Sequence, residues 1–269
     1  MRAEKLEVKD FWNTNSCGEQ LYLKGSDEVE AFRFQSAMRY QLEPYIENFA
    51  NFSSASNKKI LEIGVGLGAD HQKFAEAGAI LTGIDLTEKA IKYSQKRLSL
   101  FGLTSMLQVA DAENLPFANQ SFDLVYSWGV IHHSPDTQKA VNEIYRVLDK
   151  GGEAKVMIYH KWSIVGYMLW MRYGLFRLNP FISLKEIYEK YLESPGTKAY
   201  TIQEAKEMFN QFSDVHISTM LTHADLLTSE AGQRHRGRLL KLARILFPRN
   251  IIRTFLHTHG LFMLIKAIK

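Results

Sequence analysis

Apolar positions along the chain fall into short runs separated by stretches of helical spacing. Runs over 59–63, 79–84, 105–109, 122–127 and 152–159 read as strands, and patterns over 69–77, 87–100 and 136–148 read as helices. Lys150-Gly151-Gly152 is the expected turn before the fifth strand. Upstream, 27–50 reads as one helix, capped by Asp27, with Phe32, Ala37, Tyr40, Leu42 and Tyr45 as its apolar surface. The Asn- and Ser-rich 51–58 is the loop into the alternating region. Alternating strands and helices predict a doubly wound α/β fold, a mostly parallel sheet with helices on both faces. Right-handed crossovers place a ligand at the carboxyl ends of its strands.

Two stretches depart from that rhythm. Residues 160–200 are too long for an ordinary strand-to-helix connection and are aromatic, with Trp162, Tyr167, Trp170, Tyr173, Phe176, Phe181, Tyr188 and Tyr191. They read as a helical cap over a pocket, against the plainer alternative of an insertion packing on itself. Residues 233–258 interleave arginines and lysines with leucines, isoleucines and phenylalanine. Such a basic amphipathic helix suits either a peripheral membrane contact or packing on the sheet or on a second subunit. The expected organisation is an N-terminal lid and helix over 1–57, then one domain over 58–269 carrying the cap at 160–200 and the basic insertion at 225–258.

Composition adds bounds. At 269 residues with 46 % hydrophobic content, the chain can bury one sizeable core. A formal charge of +4 is mild and does not call for a nucleic-acid partner. The one cysteine, Cys17, rules out an intrachain disulfide, and the charged first ten residues lack the apolar core of a signal peptide. A cytoplasmic location is expected. Arg172 and several Lys and Arg residues interrupt the longest apolar stretches before they reach the length of a membrane span.

The chemistry concentrates at strand ends. The run 60–63 ends in Gly64, Gly66 and Gly68, a sharp strand-to-helix turn whose N–H groups face whatever sits above the sheet. The dinucleotide fingerprint would need its third glycine at 69, which is Ala69, and Glu62 precedes the first glycine by two. A carboxylate there suits a ligand with an ammonium group. Asp85 ends the next strand about twenty residues on, placed to accept both hydroxyls of a ribose. Leu86 follows, able to pack on a base. Then come Asp111, Ala112 and Glu113 after the third strand, and Ser127 and Trp128 at the end of the fourth, followed by Gly-Val-Ile-His-His-Ser-Pro-Asp.

Glu-x-Gly-x-Gly-x-Gly resembles motif I of the class I S-adenosylmethionine-dependent methyltransferases, and the later strand ends resemble that family's other motifs in order. The Asp-Ala-Glu-Asn-Leu-Pro-Phe and Ser-Phe-Asp segments are similar to quinone-biosynthesis C-methyltransferases in the small-molecule branch. The resemblance covers about 58–160. It implies a Rossmann-like sheet of seven strands closed by an antiparallel pair, for which 214–220 and 261–267 are candidates. It implies S-adenosylmethionine as cofactor, S-adenosylhomocysteine as product and a small, partly apolar acceptor. It gives Asp111 the adenine amino group and Ala112 a ring nitrogen, with Glu113 beside them, while Glu62 and the backbone near Ser127 and Trp128 hold the methionine part. The segment from Phe11 to Gly18 looks like the family's N-terminal lid, with Trp12 and Tyr22 as contacts. Base-methylating relatives carry an Asn/Asp-Pro-Pro-aromatic motif where this chain has Ser127-Trp128-Gly129-Val130.

His132 and His133 are the candidate general bases, since imidazole accepts a proton near neutral pH. Tyr159 and His160, ending the fifth strand, are equally candidate acceptor contacts or pocket lining. No Cys/His cluster has metal-ligand spacing, so no metal is expected. Two other classes stay open: a nicotinamide-dependent oxidoreductase on a similar sheet, and a cofactor-binding module without turnover. The acceptor atom and the oligomeric state are not legible.

Overall fold

The computed structural model describes residues 3–14, 19, 23, 27–229 and 247–269. Helix α1 (Ala3–Thr14) precedes α2 (Glu28–Leu42) and α3 (Tyr45–Ala50). The single helix expected over 27–50 is two, because Pro44 lacks an N–H and pushes the residue before it out of helical backbone. Glu43 accordingly has φ −127°. Asp27 does cap α2, accepting from the amides of Val29 and Glu30.

The alternating region follows as β1 (Lys59–Ile63), α4 (Ala69–Glu76), β2 (Ile80–Asp85), α5 (Glu88–Leu100), β3 (Met106–Val109), β4 (Phe122–Trp128), α6 (Thr137–Val147) and β5 (Leu148–Tyr159). The cap helices α7 (Ile164–Tyr173) and α8 (Leu184–Tyr191) come next, then α9 (Ile202–Met208), β6 (Asp214–Met220), α10 (Arg249–Phe255) and β7 (Phe262–Ile268). The strands make one seven-stranded sheet in the order β3-β2-β1-β4-β5-β7-β6. Strands β1 to β5 pair in parallel, and β7 runs antiparallel to both β5 and β6. This is the mostly parallel Rossmann-like sheet with the closing pair that the sequence resemblance implies. Strand β5 starts earlier than expected, at Leu148, and carries the Gly151-Gly152 turn as an irregularity with Gly151 at φ +74°.

Period-two alternation sorts side chains onto two cores. Leu61, Ile63, Val125, Val156 and Ile158 face α6 and α9, packing with Ile144 and Phe209. Ile60, Tyr126, Met157 and Tyr159 face the other way, with Phe49, Phe74 and the cap residues Val165 and Tyr188. Arg97 of α5, fully buried, docks α2 onto this second layer. It makes five hydrogen bonds, to Gln72, Gln35, Ser36 and the carbonyls of Leu67 and Phe32, all neutral oxygens. Burial without a carboxylate partner lowers its value to about 10.

Buried Asp225 anchors the cap. One carboxylate oxygen accepts from the Val165 amide (3.2 Å), and the other accepts from the amides of Thr222 and Leu261 (2.9 Å each) and the Thr222 hydroxyl (2.8 Å). It thereby joins the start of α7 to the end of β6 and the start of β7. Asp225→Ala strands three buried amides, so urea denaturation is expected to show about 3 kcal/mol less stability. Asp225→Asn, which keeps one accepting oxygen, should lose less; equal stability of the alanine variant and wild type would remove Asp225 as the anchor.

Candidate functional site

The glycine turn is built by conformation before any ligand enters. Gly64 (φ +84°) hydrogen-bonds through its N–H to the Ile84 carbonyl (2.8 Å), and a Cβ there would lie 2.1 Å from a Val130 methyl. Only glycine fits that position. Gly66 (φ +50°) is different: a Cβ there would meet open space, because its backbone borders a cavity of about 480 Å³. Gly68, also at positive φ, precedes α4.

Asp85 lines the cavity from the end of β2. One oxygen accepts from the Gly66 amide (3.2 Å), and the other from the amide (2.9 Å) and hydroxyl (2.8 Å) of Thr87. Burial raises its value, and those donors act against the rise. Leu86, Asp111 and Ala112 line the same end. Asp111 accepts from the Glu113 amide (2.9 Å) and from Lys5 (2.6 Å), whose Nζ also reaches Glu113 (2.6 Å). Lys5, Val8, Phe11 and Trp12 all line the cavity, so α1 covers it.

A buried charge cluster forms the middle of the site. Glu62 lies 2.8 Å from His71 Nδ1, and His71 Nε2 is 2.7 Å from Ser105 Oγ. Burial raises the Glu62 carboxyl, against the pull of His71. Asp70, at the start of α4, receives Arg39 Nε (2.9 Å) and Nη2 (2.6 Å) and the hydroxyls of Tyr40 (3.0 Å) and Tyr126 (2.9 Å). Burial opposes its charge, but Arg39 and the hydroxyls outweigh it and hold Asp70 below the usual carboxylate value. Arg39 Nη1 faces Glu43 at 3.6 Å. Glu43 accepts the Trp128 indole N–H (3.1 Å), and burial lifts it to about 7 despite Arg39.

At the far end, Tyr159 donates to Glu193 (2.7 Å), whose same oxygen lies 3.6 Å from His133 Nε2. His133 Nδ1 sits 2.8 Å from the Ser194 hydroxyl and 3.2 Å from that of Thr197, and the Trp12 ring meets His133 edge-on. Burial, with Lys198 nearby, lowers His133 to about 3, so it is a neutral imidazole and a weak base in this form.

The cavity thus brings together Gly64, Gly66, Gly68, Glu62, Asp85, Leu86, Asp111, Ala112, Trp12, Trp128, His133 and Tyr159. Four expected residues lie outside its lining. His132 is fully buried, its ring tilted against that of Tyr159 (4.0 Å between centroids). His160 turns away, its Nδ1 3.2 Å from the Gly260 carbonyl. Ser127 is buried within β4. Glu113 is taken up by Lys5, Ser134 and the Asp136 amide. Tyr22 and most of the basic stretch, 230–246, lie outside the described residues. Lys5, Arg39, Glu43, Asp70 and Glu193 are additions the sequence reading missed. For Lys5 a signal existed, since Lys5, Val8 and Trp12 share one helical face. Among the described residues no cluster of three or more His, Cys, Asp or Glu is placed to hold a metal.

Comparison with known proteins agrees with this fold. Residues 61–156 match the family model described as a methyltransferase domain. The phthiotriol/phenolphthiotriol dimycocerosates methyltransferase of Mycobacterium leprae is 43 % identical over 99 residues, 36 % of each chain. The demethylmenaquinone methyltransferase of Tropheryma whipplei is 29 % identical over 160 residues, 58 % of this chain and 66 % of that one. The alignments with curated relatives such as these span from about a third to two thirds of those proteins. Haemonchus contortus phosphoethanolamine N-methyltransferase 2, solved with S-adenosyl-L-methionine, shares the fold at a TM-score of 0.60 and 18 % identity, over 97 % of this chain and 60 % of that one. Residues 61–156 are thus similar to a methyltransferase domain, and they lie within the Rossmann-like seven-stranded sheet.

Proposed function

We propose that the protein transfers a methyl group from S-adenosylmethionine to a small, partly apolar acceptor. The observation that carries this reading is the pair of carboxylates Asp85 and Asp111 on adjacent strand ends, facing a cavity bordered by the bare backbone of Gly66. The residues present suit this cofactor. Asp85 would take the ribose hydroxyls, Leu86 and Ala112 would bracket the adenine, and Asp111 would meet its amino group. Arg39, the cation beside the glycine turn, would face the methionine carboxylate, and Glu62 the ammonium. Bound there, the cofactor supplies an electrophilic methyl on a sulfonium with a neutral leaving group.

The protein's own task is alignment and exclusion of water. Helix α1 and the aromatic walls Trp12, Trp128, Tyr159 and Phe262 shield the cavity and favour an apolar acceptor. Two relatives named for phthiotriol/phenolphthiotriol dimycocerosates and demethylmenaquinone support an acceptor other than nucleic acid. Tyr159 and His133, joined through Glu193, orient the acceptor. His132 and His160 have no such role, being outside the cavity. The single cysteine fits a cytoplasmic location.

Asp85→Ala is expected to weaken S-adenosylhomocysteine binding at least about tenfold in a calorimetric titration while the thermal transition stays cooperative. Unchanged affinity would remove Asp85 from the ribose site. With methyl-labelled S-adenosylmethionine and extract of the source cells, label is expected in the organic-soluble fraction. Binding without transfer to any fraction would favour a module without turnover.

Glu43 gives a pH signature. Its folded value of about 7 lies above the ordinary 4.5, so between these the folded state holds the extra proton. Stability therefore falls as pH rises through that window and is flat above it. Glu43→Gln should flatten this slope, making the variant roughly 2–3 kcal/mol more stable than wild type at about pH 8 and no more stable at about pH 4.5. Parallel stability–pH curves would show that Glu43 is not held protonated.

A further inference from the structure

The loop between the cap helices presents apolar side chains that no described residue covers. Phe181 is 96 % exposed, Leu178 92 % and Phe176 71 %, with Leu175 and Met171 partly exposed behind them. A soluble surface scatters such residues singly; a contiguous projecting group of them marks an interaction site. Leu178 also adopts φ +57°, a left-handed conformation a branched-chain residue seldom takes, and that turn holds its side chain outward.

Cations collar the tip. The guanidinium groups of Arg172 and Arg177 lie 5.4 and 5.0 Å from the centre of the Tyr173 ring, which stacks on Tyr191 at 3.9 Å. Between 171 and 191 the basic residues are Arg172, Arg177, Lys185 and Lys190, against Glu186 and Glu189. An apolar tip with Arg172 and Arg177 just behind it matches the layering of a bilayer, hydrocarbon under anionic headgroups.

The same two helices reach the cavity. Val165 at the base of α7, and Leu192 and Glu193 just after α8, line it. A ten-residue helix spans about 15 Å, so the tip and the cavity wall are opposite ends of one short stalk. We propose that residues 171–181 form a membrane-docking tip that inserts Phe176, Leu178 and Phe181 into an anionic leaflet and holds the cavity at its surface. This assigns the contact to the cap, whereas the sequence pattern offered a membrane contact at 233–258 as one of two readings, and it does not depend on the chemistry in the cavity.

The test is co-sedimentation of the full chain with phosphatidylcholine vesicles, with and without phosphatidylglycerol. Wild type is expected to sediment with the anionic vesicles. The double variant Phe176→Ser/Phe181→Ser should partition at least about tenfold less, with unchanged elution volume and thermal transition. Arg172→Gln/Arg177→Gln should lose the preference for phosphatidylglycerol. Undiminished sedimentation of the phenylalanine variant would overturn the proposal in favour of the basic stretch, and absence of wild-type binding would overturn it outright. So would light scattering that shows a wild-type dimer split by Phe176→Ser/Phe181→Ser, because a second copy would then cover the tip.

Discussion

The charge of Asp70, buried between α4 and the sheet, is the constraint on which the site's architecture rests. A lone carboxylate at 3 % exposure would be untenable. It persists because Arg39 grips it with two nitrogens while Tyr40 and Tyr126 donate to it. Removing one member of such a pair typically costs about 3–5 kcal/mol, since the other is left buried and uncompensated. The cluster therefore ties α2 to the start of α4 and to β4, three elements distant in sequence. Arg97 secures the same helix one turn earlier with neutral oxygens. Together they make α2 part of the cavity wall.

That docking sets the electrostatics of everything near the cavity's centre. Arg39 gives its Nε and Nη2 to Asp70, so Glu43, one helical turn on, meets only the remaining nitrogen at 3.6 Å. The Trp128 indole contributes one hydrogen bond, and the balance leaves Glu43 close to half-protonated near neutrality. Glu62 is likewise raised by burial and steadied by His71. Glu43 and Glu62, both raised by burial, thus flank the Arg39–Asp70 ion pair. A cationic ligand group entering between them would draw both toward the charged form.

Legibility from sequence followed the range of the interactions. The strands, the glycine turn, Asp85, Leu86, Asp111 and Ala112 depend on local backbone geometry and on the βαβ repeat, so the residues carry their own spacing rule. Trp128 was placed for the same reason, at a strand end. The Ser127 side chain is buried within β4 while that of Trp128 borders the cavity, since consecutive strand residues face opposite ways. His132 and His133 sit in a short 3-10 turn, Ile131–His133, rather than an extended segment. Their rings lie 4.2 Å apart, yet only His133 borders the cavity. Arg39, Glu43, Asp70 and Glu193 escaped because each gains its role from a partner tens of residues away. Glu113 follows the same spacing, but its carboxylate is engaged by Lys5 from α1, a partner that spacing does not reveal.

The cap shows how an insertion can line a site at one end and be fixed in place by the fold beneath it. Asp225 fixes its base, the hydroxyls of Ser163 and Tyr188 pair at 2.7 Å, and the Gly166 backbone allows Tyr188 to approach so closely that a Cβ would lie 2.2 Å from its hydroxyl. Fixed at that end, α7 and α8 have little freedom to tilt, so whatever engages the tip also orients the cavity. For an apolar acceptor this matters energetically. Moving such a molecule from a bilayer into bulk water exposes its surface at about 25 cal/mol per Å². A cavity held at the bilayer surface by a rigid stalk shortens or removes that exposure, and its aromatic walls then receive the acceptor directly.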